Sequence, residues 1–360
     1  MRLRDRLWNP YIVVFLSSAC IMVIELVASR QIAPRLGVSL YTWTAVIGVI
    51  LAGISLGNYL GGRLADRFAS TFFLGVIFAL ASLGSLMILW LNNDLHNLQF
   101  PKNLPLMVWV VGYIAGVYFL PSTILGCVSP IVVKLSLTDL KRSGTTVGKI
   151  YAFSSVGSIV GTFLTGFYLI SHFGTTRVIL MVAGLLMVMG IWFMSDASFW
   201  KAIISVVVAA LAFRWGMWFL ERGGFLTGIC QRETNYFCIN VREKEIGNRL
   251  IKELVLDRLV HSYSDLEDPT NLVYGYERVY AEVIRPLMES RPTMSAFFIG
   301  GGGFTFPRYL EAKLPESRIV VAEIDPGVTE TAYQELGLSP DTRIETHNLD
   351  ARLYMKWYAE

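Results

Sequence analysis

Four consecutive glycines, Gly300 to Gly303, close the apolar run of "SAFFIGGGGFTFPRYL" and lead into what reads as a helix. Glycine adopts backbone conformations closed to other residues and lets a ligand approach the main chain, while a helix start offers N–H groups without partners. Glu323 ends the next apolar run about 20 residues later, where a carboxylate can accept both ribose hydroxyls. Asp350 closes the run after that, within reach of an adenine amino group. A glycine loop alone is a weak signal. With an acid at each of the next two strand ends, it reads as the holder of a nucleoside-bearing ligand, the alternative being a structural turn. Asp325, just before Pro326, reads as the cap of the following helix.

Bringing these groups together takes a parallel sheet whose strands end on one side. From Met294 the pattern runs strand, helix, strand, helix, strand: "SAFFIGG", "FPRYLEAKL", "RIVVAEID", "PGVTETAYQEL" and "RIETHNLDA". This is the opening half of a doubly wound, Rossmann-like α/β sheet. Ahead of it, Tyr276, Val279, Tyr280 and Val283 recur at helical spacing and predict an amphipathic helix ending near Pro286. The stretch "QRETNYFCINVREKEIGNRLIKELVLDRLVHSY" alternates in short runs broken by "EIGN" and predicts a small antiparallel sheet. Asp265, Glu267, Asp268, Tyr274, Tyr276 and Glu277 gather between the two sheets. Such a patch suits a cationic amine, and reads equally as a solvated loop and helix start.

The rest of the chain has a different solvent. Of 360 residues, 54% are hydrophobic and only 16% charged, against about 25% charged in soluble domains. The shortage lies between Tyr11 and Leu220, and charge returns from Glu221 onward. Three parts follow: a multi-pass transmembrane helical domain over 1–220, a small β-sheet subdomain over 221–265, and the start of a Rossmann-like nucleoside-binding domain over 266–360. Stretches 10–29, 40–62, 71–91, 106–133, 150–171, 175–194 and 198–220 each approach the length of about 20 apolar residues that a span needs. No small-residue cleavage site follows the first, so it is not a signal peptide. The fourth holds Pro121 and Pro130 and should be kinked or broken.

Basic residues in "MRLRDR", at Arg63 and Arg67, at Lys134 and in "KRSGTTVGK", and at Lys201 put the N-terminus in the cytoplasm of a cell membrane. Seven crossings then leave the C-terminal part outside and six leave it inside; the block with Arg214 is the one in question. Ionisable groups at membrane depth are costly and often functional. Glu25, Arg30, Arg63 and Asp66 are the candidates: Glu25 as a substrate or lipid contact or an interhelical pair, and Arg63, Asp66 and Arg67 as a charge cluster. "GNYLGGRLADR" resembles the loop signature of major facilitator transporters, and Gly53, Gly57, Gly61 and Gly62 are expected to let helices approach.

A formal net charge of +3 without a basic, aromatic-interleaved stripe argues against nucleic acid. Cys20, Cys127, Cys230 and Cys238 lack metal-ligand spacing, so no metal is expected. Cys230 and Cys238 read as two separate thiols, with a bridge as the alternative outside the cytosol.

"LVLDRLVHSYSDLEDPTNLVYGYERVYAEV", followed by "FFIGGGGFTFPRYL", "VVAEIDPGV" and "LDARLYM", resembles the spermidine synthase family, the aminopropyltransferases of polyamine synthesis. The whole chain is similar to the membrane-fused branch of that family, "IELVASRQIAPRLG" and "GNYLGGRLADR" fitting its first two helices. The resemblance implies a membrane-bound transferase that moves an aminopropyl group from decarboxylated S-adenosylmethionine to an amine such as putrescine. It assigns the donor to Gly300, Gly301, Gly302, Gly303, Glu323 and Asp350. Glu277 stands where a family glutamate follows a Tyr-His pair, with Tyr276 here preceding it; both are implied to bind substrate. His261 stands where the family has a glutamine near the nucleoside, and Arg258 replaces a glycine.

Two departures matter. The family loop GGGDGG, whose aspartate faces the reactive aminopropyl end, reads GGGGFT here. The family's catalytic aspartate follows a fourth strand, beyond Glu360, so no catalytic residue is assigned and the α/β part is expected to be truncated. The alternatives are an S-adenosylmethionine-dependent methyltransferase-like protein and a non-enzymatic membrane transporter or sensor. The expected partners are the lipid bilayer and a small-molecule amine, with a homo-oligomer left open.

Overall fold

The computed structural model describes residues 9–94, 105–137, 142–195, 199–226 and 228–358. The basic stretch 1–6, Lys141 and Glu360, which entered the sequence reading, lie outside them. The chain divides into two compact units, Met1–Ile229 and Cys230–Glu360.

The first unit is helical. Helix α1 (Pro10–Leu36) starts where Asn9 Oδ1 accepts from the Tyr11 amide and ends at Gly37, whose φ of 78° suits a residue without Cβ. Helix α2 (Leu40–Phe68) opens with a capping box between Ser39 and Thr42. Next comes α3 (Thr71–Asp94). The fourth apolar stretch is broken, as its prolines require: α4 (Leu106–Ile114), a π-turn at Ala115–Phe119, α5 (Leu120–Gly126) and α6 (Val128–Ser136). Then follow α7 (Ser143–Leu164), a second π-turn at Thr165–Leu169, α8 (Ile170–Met194) and α9 (Phe199–Arg222).

Among the described residues, five helical segments are long and apolar enough to cross a membrane: Pro10–Leu36, Leu40–Phe68, Thr71–Asp94, Leu106–Ser136 and Ser143–Met194. The expected seven stretches are thus regrouped. The fifth and sixth run together over 52 residues, a length of about 78 Å at 1.5 Å per residue, well beyond a hydrocarbon core of about 30 Å. Gly174 breaks this segment with φ 73° and ψ 163°. The seventh stretch is α9, which is not one of the five.

Glycine governs close contacts between these helices, a packing compatible with helices in lipid. A Cβ on Gly53 would stand 2.9 Å from Phe119 O, one on Gly57 would overlap Thr123 O, and one on Gly61 would lie 2.6 Å from Cys127 Cα. These three, spaced by four residues on α2, form the seam with α5 and α6. Gly62, expected to share that role, faces open space.

The second unit begins with an antiparallel sheet in the order β1 (Arg232–Glu233), β2 (Cys238–Ile246), β3 (Arg249–Leu256), β4 (Leu259–Asp265). Its hairpins turn through Gly247 and Asp257, both at positive φ. Cys230 and Cys238 form a disulfide, with Cα atoms 5.3 Å apart, which corrects the reading of two separate thiols. Strand pairing is the reason: Glu233 faces Cys238 across β1 and β2, so the chain just before β1 lies beside Cys238.

Helix α10 (Gly275–Ser290) keeps Pro286 inside instead of ending there. A proline removes one backbone hydrogen bond, and the helix runs one further turn beyond it. The parallel sheet follows in the order β5 (Ser295–Ile299), β6 (Arg318–Ala322), β7 (Glu345–His347), joined by α11 (Thr305–Lys313) and α12 (Pro326–Glu335) and succeeded by α13 (Ala351–Tyr358). The central strand buries Ile319, Val320, Val321 and Ala322 in succession, whereas β5 alternates, as an edge strand does. Phe304, Leu310, Ile319, Val321, Val328 and Leu336 build the core beneath the strand ends.

Candidate nucleoside-binding site

Parallel pairing of β5, β6 and β7 brings their carboxyl ends to one edge, where Gly300, Glu323 and Asp350 follow the respective strands. Ligands of open α/β sheets bind along this edge. Gly300 and Gly302 have φ of 86° and 52°, so the turn needs glycine at both. Glu323 is buried. Its Oε2 accepts from the amides of Gly301 (2.7 Å) and Gly302 (3.3 Å), and its Oε1 accepts from the Asp325 amide at 2.9 Å. The carboxylate therefore ties the ends of β5 and β6 together before any ligand arrives. Two oxygens offer about four lone-pair sites, so acceptor capacity remains. Asp325 caps α12 through the Gly327 amide at 2.9 Å and is itself held by Thr234.

Asp350 is engaged differently. Arg352 grips both its oxygens, at 3.0 Å from Nε to Oδ1 and 2.5 Å from Nη2 to Oδ2, and this guanidinium holds the Asp350 carboxyl down at about 2. An adenine amino group at Asp350 would share it with Arg352.

Gly303 is fixed from below. A Cβ on Gly303 would overlap Ser262 Oγ and stand 2.8 Å from Ser262 Cβ and 3.0 Å from Ser264 Oγ. Both serines belong to β4, and Thr305 Oγ1 donates to Tyr263 O at 3.4 Å, so the antiparallel sheet underpins the loop. Phe304 is wholly buried at a φ of 55°. Position 303 is where the resembled loop carries its aspartate. Here the space for that side chain is filled by Ser262.

His261 is exposed and 6.2 Å, ring to ring, from Phe237. Partial desolvation of its ring pulls its pKa down, opposed by the carboxylates of Asp257 and Glu323. That coupling places His261 within electrostatic reach of the acid that holds the loop.

Tyr276 and Glu277 open α10. The Glu277 carboxyl is buried, with Oε2 lacking a hydrogen-bond partner among the described residues, and burial pushes it up to about 7 against the opposing bonds from Tyr276 and the Tyr274 amide. Tyr276 is exposed; partial desolvation, then the Glu277 charge, raises its phenol to about 12, so it stays neutral. Rings at Tyr263, Tyr274, Tyr276, Tyr280 and Phe306 form a continuous chain of contacts 4.9 to 5.8 Å between centroids, linking β4 and α10 to the first turn after the loop.

The acidic patch divides. Asp265 is buried as a structural pin: burial opposes its charge, yet Asn271, Arg249 and the amides of Asp268 and Glu267 hold it at about 2. Asp268 caps the same turn through Thr270. Of the patch, Glu277 is the acid with an unengaged buried oxygen. Arg308, also buried, ties α11 to Leu336 O at 2.8 Å and to Asp265 O at 3.2 Å.

Glu25 is half-buried on α1, and Arg30, farther along that helix, is engaged. Arg63 lies over the Tyr59 ring at 4.6 Å, and Asp66 pairs with Lys134 at 2.7 Å on an exposed surface. The residues missed in the sequence are Ser262 and Ser264. Their only signal is two small polar residues on the inward face of a strand otherwise expected to point apolar groups that way.

No family model matches the chain, and no curated protein matches it. A solved structure similar to part of it is that of a probable spermidine synthase from Corynebacterium glutamicum ATCC 13032, at 21% identity and a TM-score of 0.32. That similarity covers 34% of this chain and 45% of the other, so the chain spans less than half the length of that protein.

Proposed function

We propose that the protein is a membrane-bound transferase using a sulfonium nucleoside of the S-adenosylmethionine type, with aminopropyl transfer to a small amine as its reaction. One observation carries this reading: a buried carboxylate at the end of β6 joined to the amides of a glycine turn at the end of β5. It supplies ribose acceptors and a close backbone approach in one place. The loop and Glu323 would hold the nucleoside, and Asp350 would take the adenine amino group. Glu277, buried beside an aromatic chain, would hold the cationic amine.

In that reaction the amine nitrogen donates its lone pair to the methylene carbon next to the sulfonium. The carbon–sulfur bond breaks, its electron pair passes to sulfur, and neutral methylthioadenosine leaves. The proton lost by the amine passes to a base. The protein's contribution is alignment and removal of that proton. Purified full-length protein incubated with decarboxylated S-adenosylmethionine and putrescine is expected to release methylthioadenosine. Binding of the donor without release would reject aminopropyl transfer.

A methyltransferase-like reading is favoured by the packing of Ser262 into the space beside Gly303. With no acid there, nothing in the loop recognises a free aminopropyl end. That reading expects S-adenosylmethionine to bind more tightly than its decarboxylated form in calorimetry, and the reverse order would count against it.

A further inference from the structure

We infer that the first unit contains a binding site for an oxyanion, a carboxylate or a phosphate group, centred on Arg35. This residue lies in the last turn of α1. Its Nη1 donates to Asn92 Oδ1 at 3.0 Å and to the Tyr113 hydroxyl. Its Nε and Nη2 are both buried and have no hydrogen-bond partner among the described residues. Asn92 and Tyr113 are neutral, and no carboxylate among the described residues pairs with the guanidinium.

A buried charge without a counter-ion is costly, and breaking up a pair in such a place leaves a large penalty. The bland account of an arginine near a helix end is a stem laid along apolar surface with its head in water, helped by the helix dipole. Arg35 does not fit it, because the edge of the head that would be hydrated is the buried one. That edge, Nε with Nη2, is the pair of parallel donors that grips two oxygens of a carboxylate or phosphate. Nη1 is held by protein, so the fork is aimed and its free side is the two-oxygen side.

The surroundings are built for polarity. Gln31, one turn before Arg35 on α1, accepts from the Tyr118 hydroxyl at 3.0 Å, and Tyr113 also donates to Asn92 Oδ1 at 3.0 Å. Gln31, Asn92, Tyr113 and Tyr118 are all buried. Tyr113 and Tyr118 flank and occupy the π-turn Ala115–Phe119. A π-turn closes every five residues, so it carries the two tyrosines toward the same side, and such turns recur at functional sites. Asn92 of α3 and Tyr113 of the π-broken fourth segment thus both accept from one cation on α1, with the Gln31–Tyr118 pair bridging the same two helical segments, α1 and the fourth.

The oxyanion has two possible sources, a dissolved anion or the headgroup of a lipid, and the test separates them. Full-length protein in detergent is melted at fixed ionic strength in sodium chloride, inorganic phosphate or succinate, and separately with phosphatidylglycerol or uncharged diacylglycerol. At least one oxyanion arm is expected to raise the melting temperature over its control. Arg35→Gln is expected to weaken the apparent affinity about tenfold or more, the loss of a charge-assisted fork. Arg35→Lys, which keeps the charge without the fork, is expected to recover only part of it and decides the matter should Arg35→Gln not fold. A wild type indifferent to every oxyanion, or a folded variant whose response equals the wild type's, would overturn the site.

Discussion

Glu277 gives the second unit a pH dependence of known sign. Its carboxyl is raised from 4.5 to about 7 by burial, so between those values the folded state holds a proton that the unfolded state has released. The contribution of Glu277 to stability is then fully present below pH 4.5 and is lost as pH rises toward 7, by about 3 kcal/mol at about 1.4 kcal/mol per unit. Glu277→Gln is expected to flatten this slope, read by pulse proteolysis of the full chain at pH 5 and pH 8 and scored on fragments from Cys230 onward. The same logic makes an amine cation bind more tightly as pH climbs through 7, when the carboxylate appears. At Gly303 the expectation is steric: Gly303→Ala should cost about 1–3 kcal/mol, because its Cβ would overlap Ser262 Oγ. Adding Ser262→Gly should return most of that loss. If the double variant is no more stable than the single one, the overlap is not what excludes a side chain there.

At the scale of elements, the loop and the strand-end acid act as one clasp. Glu323→Ala removes the acceptor of the Gly301 and Gly302 amides and is expected to weaken nucleoside binding at least tenfold in calorimetry, while Glu323→Gln keeps an acceptor and should lose less. Wild-type affinity in Glu323→Ala would remove the acid from the site. The clasp was readable because strand ends, glycines and acids fall at local spacings along the chain. Ser262 was not, because it reaches the loop from β4, and its position depends on how two sheets stack. The Arg35 cluster was hidden for the same reason, its partners Asn92 and Tyr113 being 57 and 78 residues away. Helix contacts were partly readable: the four-residue spacing of Gly53, Gly57 and Gly61 announces a close seam, but whether Gly62 belongs to it depends on rotation about the helix. Gly57→Leu should disrupt the α2 seam against Thr123 and Gly126 and lower detergent-solubilised melting sharply, whereas Gly62→Leu should leave it unchanged.

For the molecule as a whole, the disulfide and the crossings bear on one question. Dividing Ser143–Met194 at Gly174 gives six crossings, and α9 would be a seventh. If the N-terminus lies in the cytoplasm, seven put the second unit outside and six keep it inside. Disulfides persist in oxidising compartments and are rare in the cytosol, so the Cys230–Cys238 bridge predicts the outer side and a crossing by α9. Intact cells expressing the chain, treated with a membrane-impermeant reductant and then an impermeant maleimide, should label Cys230, the more exposed half of the bridge, but not the buried Cys20 and Cys127. Labelling only after permeabilisation would place the unit inside and reduce the count to six. The outcome also constrains the chemistry. A unit inside the cell meets the cytosolic pool of sulfonium nucleosides directly, whereas a unit outside can act as a transferase only if its donor reaches that face. If the impermeant label does reach Cys230, the enzymatic reading requires methylthioadenosine release from donor supplied on the outside of sealed cells, and its absence under those conditions would shift the weight to a nucleoside-binding membrane protein without turnover.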